Sequence, residues 1–394
     1  MTQEELKKVL SERETIERNI ERKHTDVALD KSLCNRQLVA SQVKYLQRAK
    51  SKLPEFYEAR CIIPPLAFEQ CSSEAAAAHK RIEGESVLEL TCGLGVDAVA
   101  LSRRFKRVVT IEINSVLAVT VRENLRRLNI ENVEVVTGSA EEYLRSCRER
   151  FDWVYVDPDR RSEDGRKLVL LEDCRPNILS LQADIERVSD RLAVKCSPLF
   201  DVDEAFRLFP RSSVETVSLG DECKEVIIYV DGGEGERGER VGATAIGRGE
   251  VWVDRAEQGD FITAQVIDLE CYKYIILPDV ALQKSRLARR VLGEICSIWS
   301  DNGVGFMSEE EYAKYDAARH LGRVMRVDWM GEYEPKRVRK ELSIRDIKSA
   351  EIYKRECSMS NAQIAKQMKI KEGGRDKIVV AKLQNRMILA ILQR

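Results

Sequence analysis

The chain lacks any run of roughly 18 uncharged apolar residues, which a membrane span needs, and its start, MTQEELKKVL, lacks the basic stretch and apolar core of an export signal. A cytoplasmic protein without membrane contact is expected. The 11 cysteines include no Cys-x-x-Cys pair and no Cys/His cluster of ligand spacing, which excludes a zinc site or a disulfide framework, so no metal is expected. Repeats and low-complexity tracts are absent, and no signal of oligomeric state is present. Charge of one sign is missing too, because 65 Lys and Arg stand against 66 Asp and Glu, a formal net charge of −1. No global attraction to nucleic acid follows. What remains is 43% hydrophobic and 33% charged, the balance of a globular protein with real cores. At 394 residues the chain exceeds the roughly 250 to 300 that one core serves, so two or three domains are expected.

Residues 1–84 read as a helical segment. Leu6, Val9, Leu10, Ile16 and Ile20, then Leu38, Val39, Val43 and Leu46, recur at helical spacing until Pro54 and Pro64-Pro65 interrupt it. The pair Ser72-Ser73 caps a short helix at Glu74–Ala78. From Ser86 the pattern becomes short β-rich runs alternating with helical stretches, which predicts a parallel sheet covered by helices over residues 85–231. The runs are Ser86–Leu90, Arg107–Ile111, Val133–Thr137, Asp152–Val156, Arg191–Lys195 and Val226–Val230. Helices are expected at Asp97–Arg104 and Ser115–Leu128. The glycine-rich segment 232–238 reads as a linker, and residues 240–394 as a C-terminal α/β domain. It should hold two strands around Arg248-Gly249, a strand-like run over Ile262–Leu277, a helix near Ala281–Trp299, and a hairpin of Lys377–Leu383 and Arg386–Leu392 about Gln384-Asn385. From Pro335 onward 16 Lys and Arg face 6 Asp and Glu. That excess makes either a phosphate-binding face or a solvated surface.

Val87-Leu88-Glu89-Leu90-Thr91-Cys92-Gly93-Leu94-Gly95-Val96-Asp97-Ala98 is a buried strand entering a glycine turn and then a helix. Gly93 and Gly95 let backbone amides approach a ligand closely. The run also fits a dinucleotide fingerprint, with Glu112 downstream to hold a ribose. Charge separates the two ligands, since Glu89 and Asp97 flank the turn and at about 4 Å would repel a diphosphate by on the order of 1 to 4 kcal/mol. The same carboxylates attract the sulfonium and ammonium of S-adenosylmethionine. With its later motifs in order, the chain resembles the class I, Rossmann-like methyltransferases that use this cofactor and release S-adenosylhomocysteine. The resemblance implies that Glu89, Thr91, Cys92, Gly93, Gly95 and Asp97 cradle the cofactor's amino-acid half. It further implies that Glu112, with Ile113 beside it, accepts the ribose hydroxyls, and that Ser139 and Ala140, after the third strand, meet the adenine.

Phe151-Asp152-Trp153-Val154-Tyr155-Val156-Asp157-Pro158-Asp159-Arg160-Arg161 ends the fourth strand in a polar turn at the carboxyl edge, where open α/β sheets bind ligands. The turn is similar to the Asp/Asn-Pro-Pro-aromatic run of base amino-methyltransferases, but Asp159 replaces the second proline and Arg160 the ring. The resemblance implies that Asp157 lies at the reaction centre beside the cofactor, with Asp159 near it. Arg160 and Arg161 either stack on or hold the substrate, or pair with Asp159 or Asp164. Downstream, Lys195 ends the fifth strand and Glu225 opens the last run. With Asp157 they resemble part of the lysine-aspartate-lysine-glutamate set of ribose methyltransferases, in which a lysine of lowered pKa takes a hydroxyl proton. Lys80 is a candidate for the remaining lysine, and a solvated ion pair of Lys195 with Glu225 is the plain alternative.

Phe68-Glu69-Gln70-Cys71-Ser72-Ser73-Glu74 resembles the element before the cofactor loop in RNA-cap guanine methyltransferase-like enzymes. From about Leu321, Leu321-Gly322-Arg323-Val324 through Lys371-Glu372-Gly373-Gly374-Arg375 to Gln393 resembles the THUMP-like domain of a bacterial methyltransferase family. That likeness implies RNA as partner and substrate, and the cluster Lys336, Arg337, Arg339 and Lys340 suits phosphate contacts. A methyltransferase acting on structured RNA is therefore expected. Methyl transfer to a protein or small molecule, or an RNA-binding chain with a vestigial cofactor fold, is the alternative.

Overall fold

The six β-rich runs of the middle of the chain become β1 (Gly84–Glu89), β2 (Phe105–Glu112), β3 (Val133–Thr137), β4 (Trp153–Val156), β5 (Arg191–Cys196) and β7 (Glu222–Asp231), and a strand that no run announced, β6 (Ser213–Leu219), precedes the last of them. A computed structural model describes residues 1–159, 170–231, 239–255, 269–293, 295–296, 298–299, 303–315, 321–355, 357–383 and 386–393. It resolves two compact units, Met1–Ser212 with Glu225–Glu236, and Ser213–Lys224 with Arg237–Arg394.

In the first unit the strands lie in the order β3-β2-β1-β4-β5-β7. All pairs are parallel except β7, which runs antiparallel to β5. Every residue of β4 is buried, as both faces of a helix-covered parallel sheet require. Register fixes the carboxyl edge: Glu89 sits opposite Thr110 and Tyr155, and Glu112 opposite Thr137. Crossover helices start where local chemistry stops the strands. Asn114 accepts from the Val116 and Leu117 amides to begin Ser115–Arg127, and Ser139 accepts from Glu142 to begin Ala140–Ser146.

The leading helices share a core with this sheet's crossover helices. Leu6, Val9, Val39, Val43, Leu46 and Phe56 pack in one cluster with Val96, Val99, Ala118, Val121 and Leu125. Two buried amide side chains satisfy the extended backbone that leaves them. Gln42 both donates to Ile63 O and accepts from Ile63 N at 3.1 Å. Asn124 accepts from Ile62 N at 2.7 Å and donates to Ile62 O at 2.9 Å. Neither bond pair is replaceable by an apolar side chain without stranding buried amides.

In the second unit β6 runs parallel to β8 (Arg240–Ala245), which pairs antiparallel with β9 (Gly249–Asp254) around the expected turn. A further sheet has the order β11-β12-β10-β13-β17-β16-β14-β15. Its strands are β10 (Tyr274–Pro278), β11 (Ile298–Trp299), β12 (Gly305–Met307), β13 (Gly322–Glu332), β14 (Ser349–Arg355), β15 (Lys371–Glu372), β16 (Asp376–Leu383) and β17 (Arg386–Leu392). The expected hairpin is β16–β17, closing with Leu383 opposite Arg386. The expected helix over Ala281–Trp299 is instead two short helices, Val280–Lys284 and Ala288–Leu292, followed by β11. Arg286, at φ 60°, breaks it, because a left-handed residue cannot continue a right-handed helix. The segment 232–238, the turn residues Gln384-Asn385 and most of the run from Ile262 fall outside the described residues.

Candidate cofactor and reaction site

After β1 the chain turns through Leu90–Leu94 into the helix Val96–Leu101. Gly93 (φ +57°) and Gly95 (φ +83°) both take the left-handed conformation, but they serve different ends. A methyl group on Gly95 would lie 2.9 Å from Val121 Cγ1, so this glycine lets the turn pack on the neighbouring helix. Nothing lies within 4 Å of the equivalent point on Gly93, which leaves that face open.

Glu112 ends β2 with its carboxylate held by two backbone donors, Gly93 N at 2.9 Å and Asn114 N at 2.8 Å. One lone pair remains on each oxygen for a diol. Burial pushes this carboxyl up, against those two hydrogen bonds. Ile113 beside it is 75% exposed, an apolar side chain with little protein cover. Gly138 N donates to Glu112 O at 3.0 Å, which brings the start of β3's following helix, Ser139 and Ala140, beside this edge. Thr91 Oγ1 accepts from Asp157 N at 2.8 Å and so ties the glycine turn to the end of β4. Cys92 points into the helical core and its amide is used by Ile111 O. An open glycine face, a pre-oriented carboxylate and an uncovered apolar side chain are what the sugar, adenine and amino-acid parts of S-adenosylmethionine require.

The wall of charge around the turn differs in one respect from its sequence reading. Glu89 is fully buried, accepts from Thr110 Oγ1 at 2.5 Å, and leaves Oε1 without a partner. Burial first, then Asp97, pushes its carboxyl well above the usual range, which weakens its pull on a cation. Asp97 stays ionised, because Lys80 and Lys195 overcome the burial that raises it.

The negative charge comes instead from a cluster behind the opening. Lys195 Nζ donates to Asp157 Oδ2 at 2.5 Å and Ser72 Oγ at 2.7 Å, and stands 3.8 Å from Asp97 and 3.9 Å from Glu225. Lys80 Nζ bonds Glu225 at 2.6 Å and the Ala76 carbonyl at 3.1 Å, with Asp97 at 3.5 Å. Three carboxylates against two ammoniums leave a net negative site, which favours a sulfonium over a diphosphate. Asp157, with 22% of its side chain exposed, is the most open member; Lys80 and Glu225 show 2% each.

Lys195, Asp157, Glu225 and Lys80 therefore converge, and the exposed ion pair that was the plain alternative for Lys195 and Glu225 is excluded by their burial. The lowered lysine pKa implied by the ribose-methyltransferase likeness is not what this geometry produces. Burial alone would lower Lys195, but Asp157, Asp97 and Glu225 outweigh it and raise it. Asp159 exchanges backbone hydrogen bonds with Arg175 at 2.7 and 3.0 Å. Arg160, Arg161 and Asp164 lie outside the described residues. Ser72 is the member that sequence reasoning missed. Of the two adjacent serines only Ser73 caps the helix, accepting from Ala76 N, and the spare hydroxyl was the available signal. Among the described residues no group of three or more His, Cys, Asp or Glu side chains is disposed to hold a metal ion, and no helix is long and apolar enough to cross a membrane.

Residues 67–175 match the model of the family described as conserved hypothetical protein 95, and residues 322–394 match the THUMP domain-like family. An uncharacterized S-adenosylmethionine-dependent methyltransferase of Mycobacterium tuberculosis (strain H37Rv) is 25% identical over 323 residues, covering 80% of this chain and 82% of that one. A tRNA/tmRNA (uracil-C(5))-methyltransferase of a Nitratiruptor species is 33% identical over 145 residues, 31% of this chain and 39% of that protein. A crystal structure from Porphyromonas gingivalis W83, provisionally assigned as a methyltransferase, superposes with a TM-score of 0.82 over 98% of both chains at 22% identity, which establishes the shared fold. The chain is a class I S-adenosylmethionine-dependent methyltransferase with a THUMP-like domain at its C-terminal end.

Proposed function

We propose that this enzyme methylates a nucleotide of RNA in the cytoplasm, with the THUMP-like domain binding the RNA and Asp157 receiving the proton of the acceptor atom. The observation that carries the reading is the Asp157–Lys195 pair at 2.5 Å on the carboxyl edge, tied to the glycine turn through Thr91. Support for RNA comes from the THUMP-like match and from relatives named as tRNA/tmRNA and ribosomal RNA methyltransferases. The exposed Lys336, Arg337 and Lys340 on the helix Pro335–Ile344 add a positive face, with Arg337 stacked 5.8 Å from the Trp329 ring.

Bound S-adenosylmethionine supplies an electrophilic methyl group on a positively charged sulfur. The chain's own residues align the acceptor and manage its proton. Lys195, kept protonated, fixes Asp157 Oδ2 and leaves Oδ1 to accept from an N–H or O–H of the acceptor. The acceptor's lone pair would take the methyl carbon as the carbon–sulfur bond breaks and leaves its electron pair on sulfur, and the acceptor's proton would pass to Oδ1 and then to water.

Tritiated S-adenosylmethionine, incubated with the enzyme and total RNA or total protein from cells lacking it, tests the reading. Label is expected in the RNA; label confined to protein would overturn it.

A further inference from the structure

The helix Arg36–Lys52 carries five cations and no carboxylate in its 17 residues. Earlier helices neutralise themselves through the pairs Lys8–Glu4, Arg13–Glu17 and Arg18–Glu14. Lys44, Arg48 and Lys52 recur at every fourth residue, so they line one face, each about 6 Å along the axis from the next. That spacing is comparable to the distance between neighbouring phosphates on an extended strand.

Two rings hold these cations in place. The Arg48 guanidinium lies 5.3 Å from the Tyr45 ring and 5.0 Å from the Phe68 ring. Lys44 stands 5.4 Å from Tyr45, and Lys52 stands 4.7 Å from Phe68 while donating to the Phe68 carbonyl at 2.6 Å. One carboxylate, Glu69, sits among the three and is bonded in two places to Arg48. That hydrogen bond, with Lys52 and Lys44 adding to it, holds the Glu69 carboxyl below its ordinary value against burial. Three cations sharing one anion leave the face positive.

The row also leads somewhere. Lys52 holds the Phe68 carbonyl, and Cys71 follows three residues on. The next residue, Ser72, bonds Lys195 in the reaction site.

We propose that Lys44, Arg48 and Lys52 hold successive phosphates of the single-stranded RNA segment that delivers the acceptor nucleotide to Asp157, with Glu69 occupying a phosphate's place until the RNA displaces it. This rests on RNA being the substrate. Base-independent phosphate contacts of this kind supply affinity and register, and their signature is salt dependence.

Equilibrium binding of a fluorescein-labelled oligouridylate to the full chain tests the surface without requiring turnover. The triple variant Lys44→Gln, Arg48→Gln, Lys52→Gln should bind roughly tenfold more weakly at low salt, with the slope of log affinity against log salt smaller by about 2. Glu69→Gln should bind several-fold more tightly. S-adenosylhomocysteine affinity, unchanged in both variants, certifies the fold. Native affinity and slope in the triple variant overturn the proposal, as does failure of the unaltered chain to bind oligouridylate or weaker binding by Glu69→Gln. Failure here with tritium still entering RNA removes only this surface, whereas absence of label from RNA removes the substrate reading itself.

Discussion

Lys80, Asp97, Asp157, Lys195 and Glu225 bring five ionisable groups together with side chains between 2% and 22% exposed, whereas Arg48 and Glu69 pair with 45% of each side chain in water. Both are clusters of Lys or Arg with acids, yet their physics differs. In the buried cluster the groups have lost most of their hydration and depend on their partners, so geometry and protonation are fixed together. On the exposed helix face solvent screens each pair, and the charges remain available to an incoming polyanion. One region is built to hold a proton's destination, the other to be rearranged by a ligand.

The contrast predicts unequal responses to the loss of one cation. Lys80→Met strands Glu225, whose other ammonium is 3.9 Å away, and should destabilise the fold by about 3 to 5 kcal/mol in urea unfolding. Adding Glu225→Gln should recover part of that loss. A change under about 1 kcal/mol would show the cluster to be wetter than described.

Glu89 sharpens the buried half through pH. Its folded carboxyl is raised above the ordinary 4.5, by burial first and Asp97 second, so the folded state binds the proton more tightly than the unfolded chain. Stability is therefore full below the unfolded value and falls as pH rises from there toward the folded one. Glu89→Gln removes that loss and keeps an acceptor for Thr110. The variant's gain in Tm over the native chain should grow from pH 5 to pH 8; an equal gain at both would contradict a raised Glu89 carboxyl.

The smallest effect belongs to the exposed face. Lys44→Gln and Arg48→Gln should each change stability by no more than about 0.5 kcal/mol in the same urea titrations. A loss of several times that would make the row a structural element and not a surface held ready for RNA.

Much of the first unit was legible because a parallel sheet buries both faces, and runs such as Trp153–Val156 then read as unbroken apolar segments. β6 escaped that test. Its Glu215, Thr216 and Ser218 are polar yet almost fully buried, with Thr244 donating to Glu215 at 2.6 Å, so the run lacks the apolar signature of its neighbours. The glycine turn and Asp157 were legible from local pattern. The Lys80–Glu225 contact joins residues 145 apart, and only the folded sheet edge brings them together. Lys195 departs from its expectation for the same reason: position on β5 implies burial, but the three carboxylates that raise it come from distant parts of the sequence. Glu89 differs in the opposite direction, since residue identity gives it a charge while burial pushes its carboxyl up.

Asp157→Ala, assayed for methyl transfer and titrated calorimetrically with S-adenosylhomocysteine, tests the central claim most directly. Turnover should fall by on the order of 10² to 10⁴ while cofactor-product affinity stays near native. Native turnover in the variant would take Asp157 out of the chemistry and contradict the account.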